Sequence, residues 1–508
     1  MESSGPRDAD QALAALGYKR DLPRHLSMMS ILGLSFAIMA VPFGLSTTLS
    51  FSLLNGQAVT VLWGWVLVSL ISLSIAASLA EITSVFPTSG GVYYFSASLS
   101  GGSPLAAFVT GWLTLVGNWT VTLSINFSGA QLILSAITIF DDTFVPTQWQ
   151  TILCFWAVMI VCAAVNAFGS KYLDLINKIC VYWTAFSVLA IIITLLATAD
   201  TYRSGEYVFA HYEVTSGWAD GWAFFVGLLQ AAYTLTGYGM VASMCEEVAN
   251  PEREVPRAMV LSVVAAAITG LVYLIPLLFV LPDVAHLLSY TQPIGILFRD
   301  VTGSKAGGLC LLLLILGILF FAGVGALTAS SRCCWAFSRD KALPGYKIWS
   351  RVNHRFEVPL WSLILSTVID CLLGLIALGS ASAFGSFTGC ATICLSTSYV
   401  IPVFLNLIGG RKDVKNAPYS LGRLGFFING LCSVWIVLAI VLFSMPVALP
   451  VDAGTTMNYA SVVFVGFACL ATGWYFAFAR RNFTGPPRDP LIHGQEPHVD
   501  DDSLTKEK

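Results

Sequence analysis

The stretch "FAIMAVPFGLSTTL", Phe36–Leu49, decides how the first part of the chain folds. It lies in a run from Ser27 to Ala80 that contains no Asp, Glu, Lys, Arg or His. About 20 apolar residues suffice for one helical membrane crossing, so this run is long enough for two. Pro42 and Gly44 both weaken a helix, because proline lacks an N–H group and glycine lacks a Cβ atom. The stretch therefore predicts a membrane helix that is interrupted near its middle.

The composition of the whole chain is that of an all-α integral membrane protein. Of its 508 residues, 56% are hydrophobic and 11% are charged, and the mean hydropathy of +0.76 is far above that of a soluble domain. No polar segment is long enough to fold alone outside the membrane. The apolar runs predict about 12 transmembrane helices, numbered here as spans 1 to 12: 28–54, 59–81, 109–134, 151–169, 178–199, 222–245, 258–282, 307–331, 359–379, 384–407, 424–447 and 458–480.

The distribution of Lys and Arg predicts the topology. If the N-terminus lies inside, 23 of the 26 basic residues fall in the termini and loops on that side. Only Arg203, Arg299 and Lys305 fall on the other side. Because cytoplasmic segments carry the excess of basic residues, we expect both termini to be cytoplasmic, with residues 1–26 and 481–508 as tails.

Span 6 repeats the pattern of span 1. It contains "LLQAAYTLTGYGMVASMC", in which Gly237 and Gly239 flank Tyr238, and it has no charge along this stretch. Interrupted helices five spans apart predict two inverted repeats and mark the binding site of a secondary transporter. The alternative is a simple kink in each helix, which membrane proteins tolerate. The expected units are two five-helix repeats and two peripheral helices: 27–199, 222–407 and 424–480.

Three loops carry further motifs, namely "AEITSVFPTSGGVYYF" after span 2, "EEVANPEREVPRAM" after span 6 and "SSRCCWAFSRDKALPG" after span 8. Together they resemble the loops of the amino acid–polyamine–organocation transporter superfamily. The stretches "APYSLGRLGFFING" and "MNYASVVFVG" look like its fungal branch, which includes GABA and choline permeases. The residues that match the superfamily motifs are Glu81, Pro87, Gly90, Gly91, Glu246, Glu247, Asn250, Pro251, Pro256, Arg257, Arg332, Arg339, Asp340, Leu343 and Pro344.

This resemblance implies a LeuT-like core of ten helices in two inverted repeats, plus two peripheral helices, that moves a small amine-bearing solute by alternating access. Unwinding at Val41–Leu45 would expose N–H groups suited to a carboxylate. The broken part of span 6 would present carbonyl groups and the Tyr238 ring to an ammonium group. The substrate-binding residues expected on this basis are Val41, Pro42, Phe43, Gly44, Leu45, Trp119, Tyr233, Thr234, Thr236, Gly237, Tyr238 and Gly239.

One position departs from the resemblance. Many relatives of the GABA and choline type carry an acid after the Gly-Tyr of span 6 and often a His four residues later. This chain has Gly239 and Ser243 at those positions. The substrate therefore stays open between a small amino acid or related amine such as GABA, and choline or a polyamine. A transport-inactive nutrient receptor of the same fold is a further alternative.

Two ionisable residues are candidates for proton coupling. Lys178 opens span 5, where a lysine in some proton-coupled relatives bridges spans 1 and 5; the alternative is an interfacial anchor. Asp370 lies near the centre of span 9, where a buried charge is costly; the alternative is a packed acid bonded to a nearby Ser or Thr. Asn118 and Asn126 of span 3 are predicted to make interhelical hydrogen bonds.

The remaining expectations concern the loops and the class of protein. Glu81, Gly90, Gly91, Glu246, Glu247 and Arg257 are expected in cytoplasmic loop or gate contacts. The spans offer no cluster of titratable groups for an enzyme, and we expect no metal, cofactor or nucleic acid. We expect a proton-driven importer in the lipid bilayer, in the plasma membrane, with a vacuolar or other organelle membrane as the alternative.

Overall fold

The computed structural model describes residues 13, 14, 16–18, 26–353, 355–380, 382–452, 456–477, 479–481 and 483–487. Within these residues, twelve helical segments are long and apolar enough to cross a membrane. From here on, spans 1 to 12 denote these segments: Met28–Thr47, Gln57–Val85, Pro104–Thr138, Gln148–Phe168, Ser170–Thr198, Asp220–Glu247, Pro251–Phe279, Lys305–Arg339, Leu360–Leu378, Ala383–Ile408, Leu424–Leu442 and Ala460–Ala477.

Short helices connect the spans. In the described part of the chain the β pairing consists of isolated bridges such as that between Leu26 and Val248. The α-helices outside the spans are Leu49–Leu54, Gly91–Leu99, Gly205–Ala210, Val284–Leu288, Pro293–Thr302 and Tyr346–Trp349. Short 3₁₀ helices occur at Ser170–Tyr172, Leu375–Leu378 and Ala479–Arg481.

The predicted all-α membrane architecture and the number of spans are confirmed, but several helix ends differ. Spans 3 and 8 each have 35 residues, longer than their apolar runs predicted. Span 3 begins at Pro104, where Ser103 accepts a hydrogen bond from the N–H of Ala106. A serine cap followed by proline is a favourable helix start, and it lies before the apolar run. Span 8 continues beyond its apolar run to Arg339 because its last turns bury polar side chains against other spans.

The interrupted spans lie at the centre of the bundle. Buried residues make up 83% of the most apolar 18-residue stretch of span 1 and 89% of that of span 6. In span 12 they make up 17%. Spans 2 and 7 pack closely together, as do spans 3 and 10 and spans 3 and 8. Spans 1 and 6 are therefore enclosed by other helices, while span 12 is peripheral.

The two ends of the bundle differ in charge. One end, which we call the basic end, holds the described residues of the segments 86–103, 248–250, 340–359 and 409–423 and those before span 1. Here the N–H of Leu26 donates to the carbonyl of Glu247. The opposite end holds the segments 139–147, 199–219 and 280–304. Among the described residues, Lys and Arg are therefore concentrated at the basic end, whereas Arg203, Arg299 and Lys305 lie toward the opposite end.

Candidate substrate site

Span 1 is broken at Ala40. Helix Met28–Met39 ends there and helix Val41–Thr47 begins, with Ala40 in the left-handed conformation at φ 41° and ψ 51°. The predicted unwinding of Val41–Leu45 is therefore wrong, because those residues are helical and the break lies one residue earlier. The physical reason is that Pro42 occupies the first turn of the new helix, where a missing N–H costs nothing and the fixed φ favours helix.

Pro42 also leaves a backbone acceptor free. In a continuous helix the carbonyl of residue 38 accepts from the N–H of residue 42, and proline has none. The carbonyl of Ile38 therefore lacks its helical donor beside the break. The helix that follows has only seven residues, so this break offers an acceptor more clearly than it offers donors.

Span 6 is broken at the predicted glycine. Helix Leu229–Thr234 ends in a turn, Gly237 has a φ of 111°, and a 3₁₀ helix follows over Tyr238–Glu247. Only glycine adopts such a φ without strain. A Cβ on Gly237 would lie 2.7 Å from the Ile38 side chain. The breaks in spans 1 and 6 thus touch each other.

A small enclosed cavity lies where the two breaks meet. Its volume is about 10 Å³, room for about one water molecule, so it must widen to hold a solute. Its lining side chains are uncharged. They come from span 1, span 3 and span 6: Ile38, Met39, Ala40, Phe43, Gly44, Val121, Ile125, Tyr233, Thr234 and Thr236.

Five of the predicted binding residues line this central cavity: Phe43, Gly44, Tyr233, Thr234 and Thr236. The other seven, Val41, Pro42, Leu45, Trp119, Gly237, Tyr238 and Gly239, lie outside its lining. Trp119 points to span 9, where its Nε1 donates to the Ser366 hydroxyl at 3.1 Å. Tyr238 packs on Tyr399, with ring centroids 5.4 Å apart.

The absence of a side chain at Gly239 has a visible consequence. A Cβ there would lie 2.6 to 3.1 Å from ring atoms of Tyr399 on span 10. The ring thus occupies the space that a longer residue of span 6 would need. An acid at this position would displace Tyr399.

The residues that sequence reasoning missed are Ile38, Met39, Ala40, Val121 and Ile125. The first three lie two to four residues before Pro42, and the missing N–H of this proline is the signal that points to them. Val121 and Ile125 are ordinary aliphatic residues of a long apolar helix. Their role depends on which neighbour each of them contacts, and the sequence alone does not show that.

The basic end is closed by buried ion pairs. Arg332 donates to Glu247 at 3.1 Å, and Arg339 binds Glu246 through both terminal nitrogens. The turn that precedes Gly91 completes this contact, because the Ser89 N–H donates to Glu246 at 3.1 Å. These bonds join spans 6 and 8 to the segment between spans 2 and 3.

A second cluster at the basic end surrounds Asp340. The hydroxyls of Tyr18 and Tyr93 both donate to its Oδ2 at 2.8 Å, and the guanidinium of Arg339 lies 4.1 Å from the Tyr18 ring centre. Burial raises the pKa of Asp340, while Arg339 and the two phenols oppose the shift. Burial and the neighbouring carboxylate raise the pKa of both tyrosines. The chain before span 1 is thereby tied to the end of span 8.

Glu81 and Arg257 differ in their surroundings. Glu81 is fully buried and accepts from Arg411 at 2.6 Å and from the N–H of Leu421 at 2.8 Å. It therefore anchors the segment between spans 10 and 11 to span 2. Arg257 is exposed on the first turns of span 7, and the gate contact expected of this residue is not seen in the part of the chain that the structure describes. Gly90 and Gly91 form the turn that begins the helix Gly91–Leu99.

The opposite end holds two larger cavities, of about 460 and 220 Å³. Gln131 and Thr291 line both of them. Thr47 lines the smaller one and lies one helical turn from Phe43 of the central cavity. The larger cavities therefore lie on the opposite-end side of the central cavity, whereas the ion pairs described above close the basic end.

The two coupling candidates have contrasting environments. Lys178 is 40% exposed and pairs with Asp174 on its own helix at 2.6 Å. Its neighbour Asn177 touches span 1 and donates to Ser30 at 3.4 Å. Asp174 accepts from the hydroxyl of Ser27 at 3.4 Å. Asp370 is completely buried. Among the described residues Lys178 pairs with Asp174 of its own helix rather than with span 1, so the expected direct bridge of Lys178 to span 1 is not formed there.

Comparisons with known proteins agree with this architecture. The model of an amino acid permease family matches residues 26–468. A polyamine transporter of Saccharomyces cerevisiae is 35% identical, over 92% of this chain and 77% of the relative. An amino-acid permease of Arabidopsis thaliana is 33% identical, over 93% and 95%. A choline transporter of Saccharomyces cerevisiae is 32% identical, over 94% and 85%.

Proposed function

Because this chain belongs to the amino acid permease family, within the amino acid–polyamine–organocation superfamily, and is a multi-pass membrane transporter of amino acids or amines rather than an enzyme, we propose that it imports a small amino acid or related amine such as GABA. Import is driven by the proton gradient and proceeds by alternating access. The observation that carries the proposal is the cavity enclosed by the breaks of spans 1 and 6.

The chemistry of the cavity favours an amine that carries N–H groups. The carbonyl of Ile38, left without a helical donor by Pro42, accepts from an ammonium group. The ring of Phe43 lines the same cavity and attracts a cation through its π face. Choline has no N–H group on its nitrogen and would depend on the rings alone. An amine or amino acid is therefore the better match.

Alternating access would use the difference between the two ends. We assign the basic end to the cytoplasm, because the positive-inside rule places basic segments there. The present conformation is then sealed toward the cytoplasm, and release requires that Arg332 and Arg339 part from Glu247 and Glu246. The units that move against each other are the proposed repeats, 27–199 and 222–407, with 424–480 at the periphery.

A polyamine or choline permease is the second candidate, favoured by the names of two relatives. The cavity weighs against a polyamine, since its lining side chains are uncharged and a second ammonium would lack an anionic partner. The same site without coupled transport would give a nutrient receptor. The plasma membrane is the proposed location, with an organelle membrane as the alternative.

The proposal is tested with purified protein in liposomes that carry an inward proton gradient. Labelled alanine, GABA, choline and a polyamine are offered in turn, and unlabelled alanine and choline compete for uptake. We expect accumulation of an amino acid or N–H-bearing amine, and counterflow exchange of the same solute. A channel gives no counterflow and a receptor binds without exchange. Absence of uptake across the panel would overturn the proposal.

A further inference from the structure

Span 3 carries a row of polar side chains on one buried face. At every fourth position from Thr114 to Asn126, the side chain donates to the carbonyl four residues earlier, at 2.7 to 2.8 Å. All members of the row are buried. Polar groups inside a membrane are costly, and such residues face the interior of the bundle. The members of the row are Thr110, Thr114, Asn118, Thr122 and Asn126.

This polar row faces span 8. Gly111 lies against Phe337 and Gly129 against Leu319, so the two antiparallel helices keep one register along their contact. Asn118 is seven residues beyond Gly111, close to two helical turns. In the antiparallel span 8, the residue seven positions before Phe337 is Ser330. Asn118 of span 3 therefore stands opposite Ser330 of span 8.

Span 9 adds an acid at the same level. Ser366 accepts from Trp119 of span 3 at 3.1 Å, and it also contacts the thiol of Cys334 on span 8. One turn from Ser366 toward the opposite end lies Asp370. One turn from Cys334 in that direction lies Ser330. By this register Asp370, Ser330 and Asn118 lie at about the same depth in the bundle, on three helices that pack against one another.

Several buried polar atoms at this depth have no hydrogen-bond partner among the described residues. Among the described residues, neither carboxylate oxygen of Asp370 has a hydrogen-bond partner, nor do the hydroxyl of Ser330 and the Oδ1 of Asn118. The interhelical hydrogen bond expected of Asn118 is thus not formed. A buried unpaired carboxylate is far more stable when it carries a proton, and a carboxylic acid, a hydroxyl and an amide oxygen supply matching donors and acceptors.

The titratable neighbours of Asp370 are mostly thiols. Span 3 has no titratable side chain, and the two arginines of span 8 are held by Glu246 and Glu247 at the basic end. Span 9 itself carries Cys371. Of the helices packed against it, span 4 carries Cys154 and Cys162, and helix Tyr346–Trp349 carries Tyr346 and Lys347. Span 8 carries Lys305, Cys310, Arg332, Cys333, Cys334 and Arg339. Within the described part of the chain, no Lys or Arg side chain pairs with Asp370.

We propose that Asp370 is the proton-carrying group of this transporter, with Ser330 and Asn118 as its hydrogen-bonding partners when spans 3, 8 and 9 shift. This rests on the proposed proton-coupled import. Asp370 takes up a proton from the opposite end and releases it at the basic end. The row from Asn118 to Thr110 runs from this site toward the basic end, along Cys334 and Ser338 of span 8.

The first test is spectroscopic and needs no transport. Infrared spectra of the wild type and of Asp370→Asn are compared at neutral pH. We expect a protonated carboxyl band in the wild type that is lost in Asp370→Asn and retained in Asp200→Asn, a control at an exposed loop acid. Asp370→Glu should keep a shifted band, and it serves if Asp370→Asn does not fold. A wild-type spectrum without a carboxyl band assignable to Asp370 would overturn the proposal.

The second test separates coupling from binding. In liposomes, Asp370→Asn should retain counterflow exchange but accumulate no more solute with a proton gradient than without one, while Asp370→Glu and Asp200→Asn accumulate it. Gradient-driven accumulation by Asp370→Asn equal to that of the wild type would refute the assignment. If the wild type exchanges no solute at all, the proposed function fails, and the infrared comparison still decides whether Asp370 holds a proton.

Discussion

Arg339 donates from both terminal nitrogens to the carboxylate of Glu246, at 2.9 and 3.0 Å. This pair joins span 8 to span 6 between the central cavity and the basic end. Its partner pair, Arg332 with Glu247, is also buried. Removal of one member of a buried pair leaves an uncompensated charge, so this contact holds the basic end shut and can be tested by a single substitution.

Glu246→Gln should loosen that end. We expect the free energy of unfolding to fall by about 3 to 5 kcal/mol, as for other broken buried ion pairs, and the nearby thiol of Cys333 to react faster with a maleimide. Glu252→Gln, a partly exposed acid on the first turn of span 7, is the control. Melting and labelling rates that match the wild type would show that the pair does not hold the closure.

Pro42→Ala tests the free carbonyl of Ile38. Alanine supplies an N–H and allows the turn at Ala40 to become helical, so that this N–H pairs with the carbonyl and the substrate loses an acceptor. A hydrogen bond to a charged group contributes about 1.5 to 3 kcal/mol, and KM for uptake should therefore rise by about tenfold or more, with unchanged melting. Pro104→Ala, in the first turn of span 3, should leave KM unchanged. An unaltered KM in Pro42→Ala would remove the role of this carbonyl.

Gly44→Ala tests the close contact between spans 1 and 6. The added Cβ would lie 2.8 to 3.2 Å from the side chain of Thr234, so the helices must separate at the cavity. Overpacking of this kind costs about 1 to 3 kcal/mol, and we expect a lower melting temperature and lower uptake. The control is Gly430→Ala in span 11, where the added Cβ meets open space and melting should not fall. Equal melting of the two variants would argue against the tight contact.

Tyr93→Phe should show a pH-dependent loss of stability. Burial raises the pKa of Asp340 above its ordinary value of 3.8, so the folded state binds this proton more tightly than the unfolded chain. The contribution of Asp340 to stability is thus complete below that value and is lost as the pH rises through the raised pKa. Since the Tyr93 hydroxyl donates to the carboxylate, its removal matters most when Asp340 is ionised.

The measurement for Tyr93→Phe is the melting temperature as a function of pH. The gap between wild type and Tyr93→Phe should be small in acid and should widen as the pH rises. Tyr346→Phe, a half-buried tyrosine near the same end, should show a gap that is independent of pH. If Tyr93→Phe also melts lower by the same amount at every pH, the bond to Asp340 is not the cause.

Local chemistry made much of this fold predictable. The lengths of the apolar runs predict twelve crossings. The interruption beside Pro42 follows from the missing N–H of proline, and the interruption at Gly237 follows from the wide range of φ open to glycine. The predicted break at Val41–Leu45 lies too late in the chain. A proline disrupts the turn before it, here at Ala40, rather than the residues after it. The ends of spans 3 and 8 were missed because caps and buried polar turns extend a helix beyond its apolar run.

The rest of the site depends on contacts between distant parts of the chain. The bond from Tyr18 to Asp340 joins residues 322 positions apart, and no local pattern announces it. Trp119 was assigned to the substrate by its residue type, but the rotation of span 3 turns it toward Ser366 and turns Val121 toward the cavity. The polar residues at every fourth position of span 3 mark a buried face, but they do not show which neighbouring helix or cavity each apolar residue beside them contacts.

The central claim is that a small amine is held between the breaks of spans 1 and 6. A structure determined with a transported solute bound tests this most directly. We expect density for the solute enclosed by Ile38, Phe43, Val121 and Thr236, with its amine within hydrogen-bonding distance of the Ile38 carbonyl. Solute bound instead in the cavity beside Gln131 and Tyr290, with the central cavity still closed, would contradict the claim.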